Sequence, residues 1–196
     1  MGAFSLMAED KIRAFLAISF GVFYQKEFER ILKTLKSYSD EVKWVDPAQV
    51  HLTLHFFGSV ELNRIESLKS LIRNLALRFR PFEVYLKGIG AFPNMNRPRI
   101  LWVGLDGDIQ DLKNMKEACD LELIKLGFSI EDREFKAHLT LGRLREGARI
   151  QLQLPDLLNN YIFDQKYLIQ EIVLYQSNLT PKGPIYTPIE YFKFQA

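Results

Sequence analysis

Apolar residues recur along this chain at two spacings, one typical of helices and the other typical of strands. Three stretches repeat apolar residues every three or four positions, which predicts helices at residues 24–38, 62–78 and 109–126. Short apolar or alternating runs predict strands at residues 13–18, 50–54, 82–90, 99–104, 137–141 and 167–175. The mixture of both element types in one chain predicts an α+β protein.

The chain repeats part of its own pattern. The sequence Val-His-Leu-Thr-Leu at 50–54 returns as Ala-His-Leu-Thr-Leu at 137–141, and the two histidines are 87 residues apart. A strand-like run begins 38 residues before His51 and a similar run begins 39 residues before His138. Such short matches can arise by chance in a leucine-rich chain, but the matched flanks argue against chance. We therefore predict one bilobal domain over residues 1–196, with two pseudo-symmetric β-sheet lobes, outer helices and a central cleft.

Two of the three histidines stand in the repeated His-Leu-Thr-Leu segments. Side chains alternate between the faces of a strand, so His51 shares a face with Thr53, and His138 with Thr140. If the two polar faces meet across the cleft, one site receives two imidazoles and two hydroxyls. Near neutral pH one imidazole can act as general acid and the other as general base. Because threonine hydroxyls donate to phosphate oxygens, this equipment suits cleavage of a phosphodiester without metal.

Other chemistries explain the same residues less well. A lone histidine on a strand is usually structural, and only the duplication argues against that interpretation. His51 and His55 have the four-residue spacing of metal ligands on a helix, but their local pattern is that of a strand. The sequence contains neither a nucleophile elbow nor a P-loop. Cys119 falls on the apolar face of its helix and is predicted to be a small buried hydrophobe.

Composition narrows the setting in which the protein works. Lys and Arg number 26 against 24 Asp and Glu, so any contact with nucleic acid must be local. The single cysteine excludes an intrachain disulfide, and no apolar run approaches the roughly 20 residues of a membrane span. We expect a cytoplasmic protein without a signal peptide. Residues 1–6 stand apart from the pattern and are interpreted as an added segment or an upstream start, with Met7 as an alternative first residue.

These motifs resemble the signature of the two-histidine (2H) phosphoesterases, which carry a pair of His-x-Thr-x motifs in a bilobal fold. The similarity is greatest to the bacterial and archaeal RNA 2′,3′-cyclic phosphodiesterases, once called 2′-5′ RNA ligases, and it covers nearly the whole chain. The matching segments are residues 13–18, 51–54, 56–58, 97–104, 137–143, 174–179 and 183–186. His55 departs from the family's pattern. A regular strand would place it in the cleft beside His51, and a solvated surface position is the alternative.

The resemblance implies an enzyme that hydrolyses a terminal RNA 2′,3′-cyclic phosphate to a 2′-phosphomonoester. It assigns His51 as the proton donor to the leaving 3′-oxygen and His138 as the proton acceptor from water. Thr53 and Thr140 would hold the non-bridging phosphate oxygens. No metal or cofactor is implied. The expected partner is RNA with a cyclic-phosphate end, such as a tRNA fragment, and the expected state is a monomer. An RNA 5′-hydroxyl in place of water would give reversible 2′-5′ ligation.

Basic and aromatic residues near the motifs extend the candidate site. Candidates for steering phosphates are Arg97, Arg99, Arg143 and Arg145, and candidates for stacking a terminal base are Phe56, Phe92 and Tyr186. Strict alternation places Arg143 on the face opposite His138. A bulge or a strand end is therefore needed to bring Arg143 into the cleft.

Two other functions remain open from the sequence. The chain is also consistent with a phosphodiesterase for another cyclic phosphate, on a nucleotide or an ADP-ribose product. A third interpretation is an RNA-end binding module that has lost turnover. The presence of both histidines argues against this module, because binding alone needs no acid–base pair.

Overall fold

The computed structural model describes residues 11–21, 23–36, 40–132, 134–148, 162–181 and 183–196. The segment 1–6 and Met7, singled out above, lie outside these described residues. The strands are β1 Lys11–Ser19, β2 Val42–Trp44, β3 His51–Glu61, β4 Phe82–Phe92, β5 Ile100–Gly107, β6 His138–Leu144, β7 Ile162–Ile169, β8 Glu171–Thr180 and β9 Gly183–Lys193. The helices are α1 Gln25–Lys36, α2 Leu62–Ala76 and α3 Ile109–Lys125, with a 3₁₀ turn at Pro47–Gln49.

The strands form two antiparallel sheets. The first sheet has the order β3-β1-β8-β9, and the second sheet has the order β2-β6-β5-β4-β7. Both sheets contribute to one apolar core, which includes Leu16 of β1 and Leu101 of β5, each fully buried. Helix α2 packs against β3, β8 and β9, and α3 contacts α2 and β3. The predicted α+β class and the two-sheet architecture are confirmed.

Each half of the chain sends two strands into the sheet that holds the motif strand of the other half. Within each half, the motif strand pairs antiparallel with the strand before it, β3 with β1 and β6 with β5. Other strands cross over: β2 and β4 of the first half pair with β6 and β5, and β8 of the second half pairs with β1 and carries β9 with it. Both sheets therefore contain strands from both halves, and the repeat in sequence is not a division into two separate lobes.

The prediction of one strand at residues 167–175 is wrong. These residues are the end of β7 and the start of β8, which belong to different sheets. The chain changes sheet at Gln170, whose carbonyl oxygen accepts the backbone N–H of Phe194 at 2.9 Å. Buried side chains change phase there, because Ile169 and Ile172 are both fully buried although they are three positions apart. That phase change, which breaks the period of two, marks the crossing in the structure.

Both motif strands carry a β-bulge directly after the threonine. The pairing register skips Leu54 in β3 and Leu141 in β6, which are equivalent positions of the repeat. An extra residue shifts the following side chains to the opposite face. His55 consequently turns into the protein and is only 6% exposed, so the predicted cleft and surface positions are both wrong for this residue. In β6 the bulge shifts Arg143 to the face of His138 and Thr140, so that its side chain lines the cleft.

Candidate active site

A cavity of about 540 Å³ is lined by residues of both sheets. His51 and Thr53 reach it from β3, and His138 and Thr140 reach it from β6. Strands β3 and β6 approach each other although they belong to different sheets. The intervening Leu52 and Leu139 are buried in the core, as the alternation along each strand predicts. The remaining lining residues are Lys43, Trp44, Val45, Asp46, Gln49, Val50, Arg143, Thr180, Gly183, Pro184, Ile185 and Tyr186.

The two imidazole rings are held by the same local hydrogen bond. Nδ1 of His51 lies 2.8 Å from the carbonyl oxygen of Gln49, and Nδ1 of His138 lies 2.6 Å from that of Lys136. A carbonyl oxygen only accepts, so Nδ1 of each ring carries a hydrogen and donates it. The neutral ring then has its lone pair on Nε2, which is the atom able to exchange a proton with a substrate. Each motif therefore sets both the tautomer and the orientation of its own histidine.

Aromatic side chains pack against both histidine rings. The ring of Phe15 lies 5.0 Å from that of His51, and Tyr186 meets the same imidazole edge-on at 5.1 Å. Phe92 packs edge-on against His138 with ring centroids 4.8 Å apart. These contacts restrict the rotation of both imidazoles. Phe92, predicted to stack a terminal base, here supports a histidine.

The surroundings of His51 favour its neutral form. Burial lowers the pKa of this imidazole, and the positive charge of Arg143 lowers it further, although the hydrogen bond to Gln49 acts in the opposite direction. Tyr186, which lines the same cavity, has its pKa raised by burial and so keeps its phenolic proton. A phosphate anion in the cavity would oppose the effect of Arg143 and raise the pKa of His51 again.

The predicted accessory residues divide into two groups. Arg143 and Tyr186 line the cavity. Phe56 and Arg99, also predicted to bind substrate, lie outside its lining. Phe56 is 45% exposed, with the Arg13 guanidinium 4.6 Å from its ring centroid. Arg99 is exposed just before β5, where its backbone N–H donates to the carbonyl oxygen of Phe92. Two further candidates for steering phosphates, Arg97 and Arg145, are likewise exposed outside the lining.

His55 has a structural position between β3 and α3. Its Nδ1 lies 3.8 Å from Oδ1 of Asp120, and its ring centroid lies 4.7 Å from that of Phe57. Asp120 also forms an ion pair with Lys116 one helical turn away. The third histidine of the chain thus belongs to the packing of a helix on a strand and not to the cavity.

Sequence reasoning missed one wall of the cavity. Lys43, which reaches it from β2, and Thr180 and Gly183, which reach it from the β8–β9 hairpin, are not among the predicted residues. Strand β2 has only three residues, too few for a periodic pattern. The available signal is Lys43 between the apolar residues Val42 and Trp44, which is the alternation of an edge strand.

Three further observations concern the described part of the chain. It contains no group of three or more His, Cys, Asp and Glu side chains placed to hold a metal ion. None of its helices has the length and apolar character needed to cross a membrane. Cys119 is fully buried in α3, and burial raises the pKa of its thiol to about 12. The prediction of a small buried hydrophobe is confirmed, and this thiol is no nucleophile.

A family model described as LigT like Phosphoesterase matches the chain twice, over residues 23–102 and over residues 103–186. The chain belongs to the LigT-like phosphoesterase family. Each match contains one of the two His-Leu-Thr-Leu segments. The resemblance drawn from these motifs is confirmed, and this LigT-like phosphoesterase is an enzyme of the hydrolase class.

Relatives and solved structures agree with this assignment. The RNA 2′,3′-cyclic phosphodiesterase of Methanothermobacter thermautotrophicus is 35% identical over 185 residues, 93% of this chain and 99% of the relative. That of Archaeoglobus fulgidus is 34% identical over 186 residues, 93% of this chain and 100% of the relative. The crystal structure of a Thermus thermophilus protein, TT0787, is similar with a TM-score of 0.79 and 26% identity, covering 93% of this chain and 97% of that one. E. coli LigT complexed with 3′-AMP shares the fold of this LigT-like phosphoesterase, with a TM-score of 0.74 and 23% identity over 95% of this chain and 99% of that one.

Proposed function

We propose that this LigT-like phosphoesterase hydrolyses the terminal 2′,3′-cyclic phosphate of RNA to a 2′-phosphomonoester. The observation that carries the proposal is one cavity lined by two histidines, each oriented by the same backbone hydrogen bond and each accompanied by a threonine. Relatives named RNA 2′,3′-cyclic phosphodiesterase, 35% and 34% identical over 93% of the chain, support the choice of substrate.

In the proposed reaction a water oxygen attacks the phosphorus atom while the bond from phosphorus to the 3′-oxygen breaks. Nε2 of neutral His138 takes a proton from the water. Nε2 of protonated His51 gives a proton to the departing 3′-oxygen, so protons balance over the step. The hydroxyls of Thr53 and Thr140 donate to the non-bridging oxygens, where charge shifts as the transition state forms. The phosphate remains on the 2′-oxygen.

The two roles follow from the family resemblance, and the charge next to His51 is compatible with its role as donor. The site is pseudo-symmetric in its histidines and threonines, but Arg143 acts on His51. A positive charge next to an imidazolium makes it a stronger acid and therefore a better proton donor. The incoming phosphate anion favours protonation of the same ring, so the donor form is populated when substrate binds.

Two finer features belong to the same proposal. We infer that the reaction needs no metal, because the two imidazoles supply both proton transfers and the hydroxyls with Arg143 meet the phosphate charge. We also infer that an RNA 5′-hydroxyl in place of water would give a 2′-5′ linkage without ATP. The cytoplasmic location, the monomeric state and tRNA fragments as the RNA stay predictions.

The competing functions differ in the products they allow. A phosphodiesterase for another cyclic phosphate would turn over nucleotides or ADP-ribose products and leave an RNA end intact. An RNA-end binding module would bind the oligonucleotide and release no product. The tautomers fixed by Gln49 and Lys136 favour catalysis over binding alone, because binding does not require Nε2 of both rings to be ready for proton transfer.

The test is a chelator-treated assay on a short oligonucleotide that ends in a 2′,3′-cyclic phosphate. The product is identified as a 2′- or a 3′-phosphate by phosphorus NMR. We expect a 2′-phosphate, with full activity in the presence of chelator. We expect His51→Ala and His138→Ala each to lower kcat by about 10² to 10⁴, the usual range for the loss of a general acid or base.

His55 provides the matched control, because it is the third histidine and lies outside the cavity. His55→Gln keeps a polar side chain next to Asp120 and should retain most of the wild-type kcat. Near-wild-type kcat in either His51→Ala or His138→Ala would contradict the role of that residue. A 3′-phosphate product would reverse the leaving group and overturn the proposed reaction.

A further inference from the structure

The cavity continues beyond the two histidines toward an edge of the second sheet. Strand β2 is the edge strand there, and Lys43 of β2 lies directly opposite Arg143 of β6 in the pairing register. Residues directly opposite each other in an antiparallel pair share one face of the sheet. Two positive side chains are therefore neighbours on the face that carries His138 and Thr140, and both line the cavity.

Lys43 also reaches across the cavity to the first sheet. A Cβ atom placed on Gly183, in the β8–β9 hairpin, would lie 3.7 Å from Nζ of Lys43. The ammonium group of this exposed lysine thus lies near the β8–β9 hairpin of the first sheet. This hairpin is itself tied by a hydrogen bond from the hydroxyl of Thr180 to the carbonyl oxygen of Gly183 at 2.6 Å.

No carboxylate in the described part of the chain forms an ion pair with Lys43 or Arg143. The one carboxylate among the described residues that line the cavity is that of Asp46. Its Oδ1 accepts the backbone N–H of Ala48 at 3.0 Å, which caps the 3₁₀ turn. Two adjacent cations without a carboxylate partner among the described residues, in a concave site of a phosphoesterase, are suited to an anionic ligand.

The position of Lys43 points to a second phosphate. The cavity volume of about 540 Å³ lies in the ordinary range for a drug-sized ligand, about 300–1,000 Å³, which is room for more than the reacting phosphate group. Arg143 lines the cavity together with both histidines and is therefore placed to meet the reacting phosphate. Lys43 is one strand farther along the sheet, about 4.7–4.9 Å in the direction of pairing, and its side chain extends to Gly183.

We propose that Lys43 binds the phosphodiester that joins the terminal nucleotide to the one before it. This LigT-like phosphoesterase then selects the end of an RNA strand over a cyclic mononucleotide, which has no such group. The inference rests on the proposed function and names its substrate class. It makes Lys43 a residue of substrate specificity, with no part in proton transfer.

The experiment compares two substrates of the same chemistry. They are adenosine 2′,3′-cyclic phosphate and a trinucleotide ending in adenosine 2′,3′-cyclic phosphate. Lys43→Ala should lower kcat/KM on the trinucleotide about tenfold, mainly through KM, because one charged contact to phosphate is lost. It should lower kcat/KM on the mononucleotide much less, because that substrate has no second phosphate for Lys43 to contact. The slope of log(kcat/KM) against log salt for the trinucleotide should become shallower by about 0.7, the single-strand value for one phosphate contact.

Two variants control for charge and for folding. Lys113→Ala removes an exposed lysine of α3 outside the cavity and should leave kcat/KM on both substrates as in the wild type. Lys43→Arg keeps the positive charge and should preserve the preference for the trinucleotide. Equal losses on both substrates, or no loss on the trinucleotide, would overturn the assignment of Lys43.

A binding measurement separates this inference from the proposed function. If the wild type opens neither substrate, the proposed function fails. The affinities of the wild type and of Lys43→Ala for the trinucleotide 2′-phosphate and for 2′-AMP still test whether Lys43 binds a second phosphate. Weaker binding of the trinucleotide alone in Lys43→Ala supports the second phosphate subsite. Unchanged binding of both ligands rejects it.

Discussion

Each histidine of the cavity is oriented by the strand that carries it. The carbonyl oxygen two residues earlier fixes Nδ1, and an aromatic ring packs against the imidazole, Phe15 for His51 and Phe92 for His138. Because the partner is a backbone atom, the orientation does not depend on a second acidic side chain such as the aspartate of a serine protease triad. The proton-exchanging nitrogen is then Nε2 in both rings.

The lowered pKa of His51 predicts the pH dependence of the reaction. The ordinary pKa is 6.5, and burial together with Arg143 brings it lower. The profile of kcat/KM reports the free enzyme. Because His51 must be protonated to act as the proton donor, the limb on which kcat/KM falls with rising pH should lie below pH 6.5. In the profile of kcat the bound phosphate raises the same pKa, so that limb should move to higher pH. Steady-state kinetics from about pH 4.5 to about pH 9 measures both profiles, and identical limbs in the two would argue against an anion beside His51.

His55 predicts a pH effect on stability. Burial lowers its pKa in the folded protein and outweighs the opposing effect of Asp120, so the unfolded chain takes up this proton first as pH falls. The stability that the neutral imidazole of His55 contributes is therefore fully present above pH 6.5 and is lost as pH falls below that value. His55→Gln should flatten the decline of the unfolding free energy from about pH 7 to about pH 5, measured by urea titration. An unchanged slope would mean that His55 binds its proton equally in both states.

Among single residues, the sequence predicts the members of the repeated motif and misses the residue that follows a β-bulge. His51, Thr53, His138 and Thr140 follow from a duplicated motif and from strand alternation, and the structure brings all four to one cavity. His55 does not follow, because alternation counted from His51 fails at a bulge that no residue type announces.

Paired β-bulges interrupt both motif strands of the cavity. They occupy equivalent positions of the repeat, and the residue two places after each, Phe56 or Arg143, emerges on the face of the preceding threonine. The same backbone device thus presents an aromatic ring on one sheet and a guanidinium on the other. Of these two side chains, that of Arg143 lines the cavity and that of Phe56 does not, so the equivalent bulges contribute differently to the site.

Arg143→Ala should change the titration of His51 as well as the rate. Removing the positive charge takes away one of the causes that lower the pKa of His51, so the kcat/KM limb below pH 6.5 should move upward. Loss of a contact to the phosphate should also lower kcat/KM by about 10- to 100-fold. A purely structural defect would lower the rate without moving the limb.

Arg145→Ala is the matched control for this prediction. Arg145 follows the end of β6, is exposed, and lies outside the cavity lining. Its substitution removes the same charge from the same segment and should leave the limb in place. A shift of equal size in both variants would assign the effect to the net charge of the protein and not to Arg143.

Long elements are predictable from the sequence and sheet membership is not. The three predicted helices agree with α1, α2 and α3, although residues 37–38 of the first fall outside the described part. All of the run 167–175 has strand-like composition, which is why the pattern predicts one strand there. Its division at Gln170 is decided by pairing partners far along the chain, β4 for β7 and β1 for β8. Composition within a short window carries no information about such partners.

The crossing of strands makes the whole molecule one unit. Strands β2 and β4 of the first half lie in the second sheet, and β8 and β9 of the second half lie in the first. The cavity depends on this arrangement, because its histidines sit on β3 and β6 and its outer wall comes from β2 and the β8–β9 hairpin. The two walls of the site are therefore fixed by the same crossings that join the two sheets.

This topology predicts that the two sheets unfold together, and the tryptophans allow a direct test. Both tryptophans of the chain, Trp44 in β2 and Trp102 in β5, lie in the second sheet, so their fluorescence reports that sheet. Leu16→Ala leaves a cavity in the first sheet, where Leu16 is fully buried, and should cost about 2–5 kcal/mol. If the sheets unfold as one, tryptophan fluorescence and far-UV circular dichroism should shift to the same lower urea midpoint. A fluorescence midpoint that stays at the wild-type value would show that the second sheet survives without the first, and the coupling inferred from the crossed strands would be wrong.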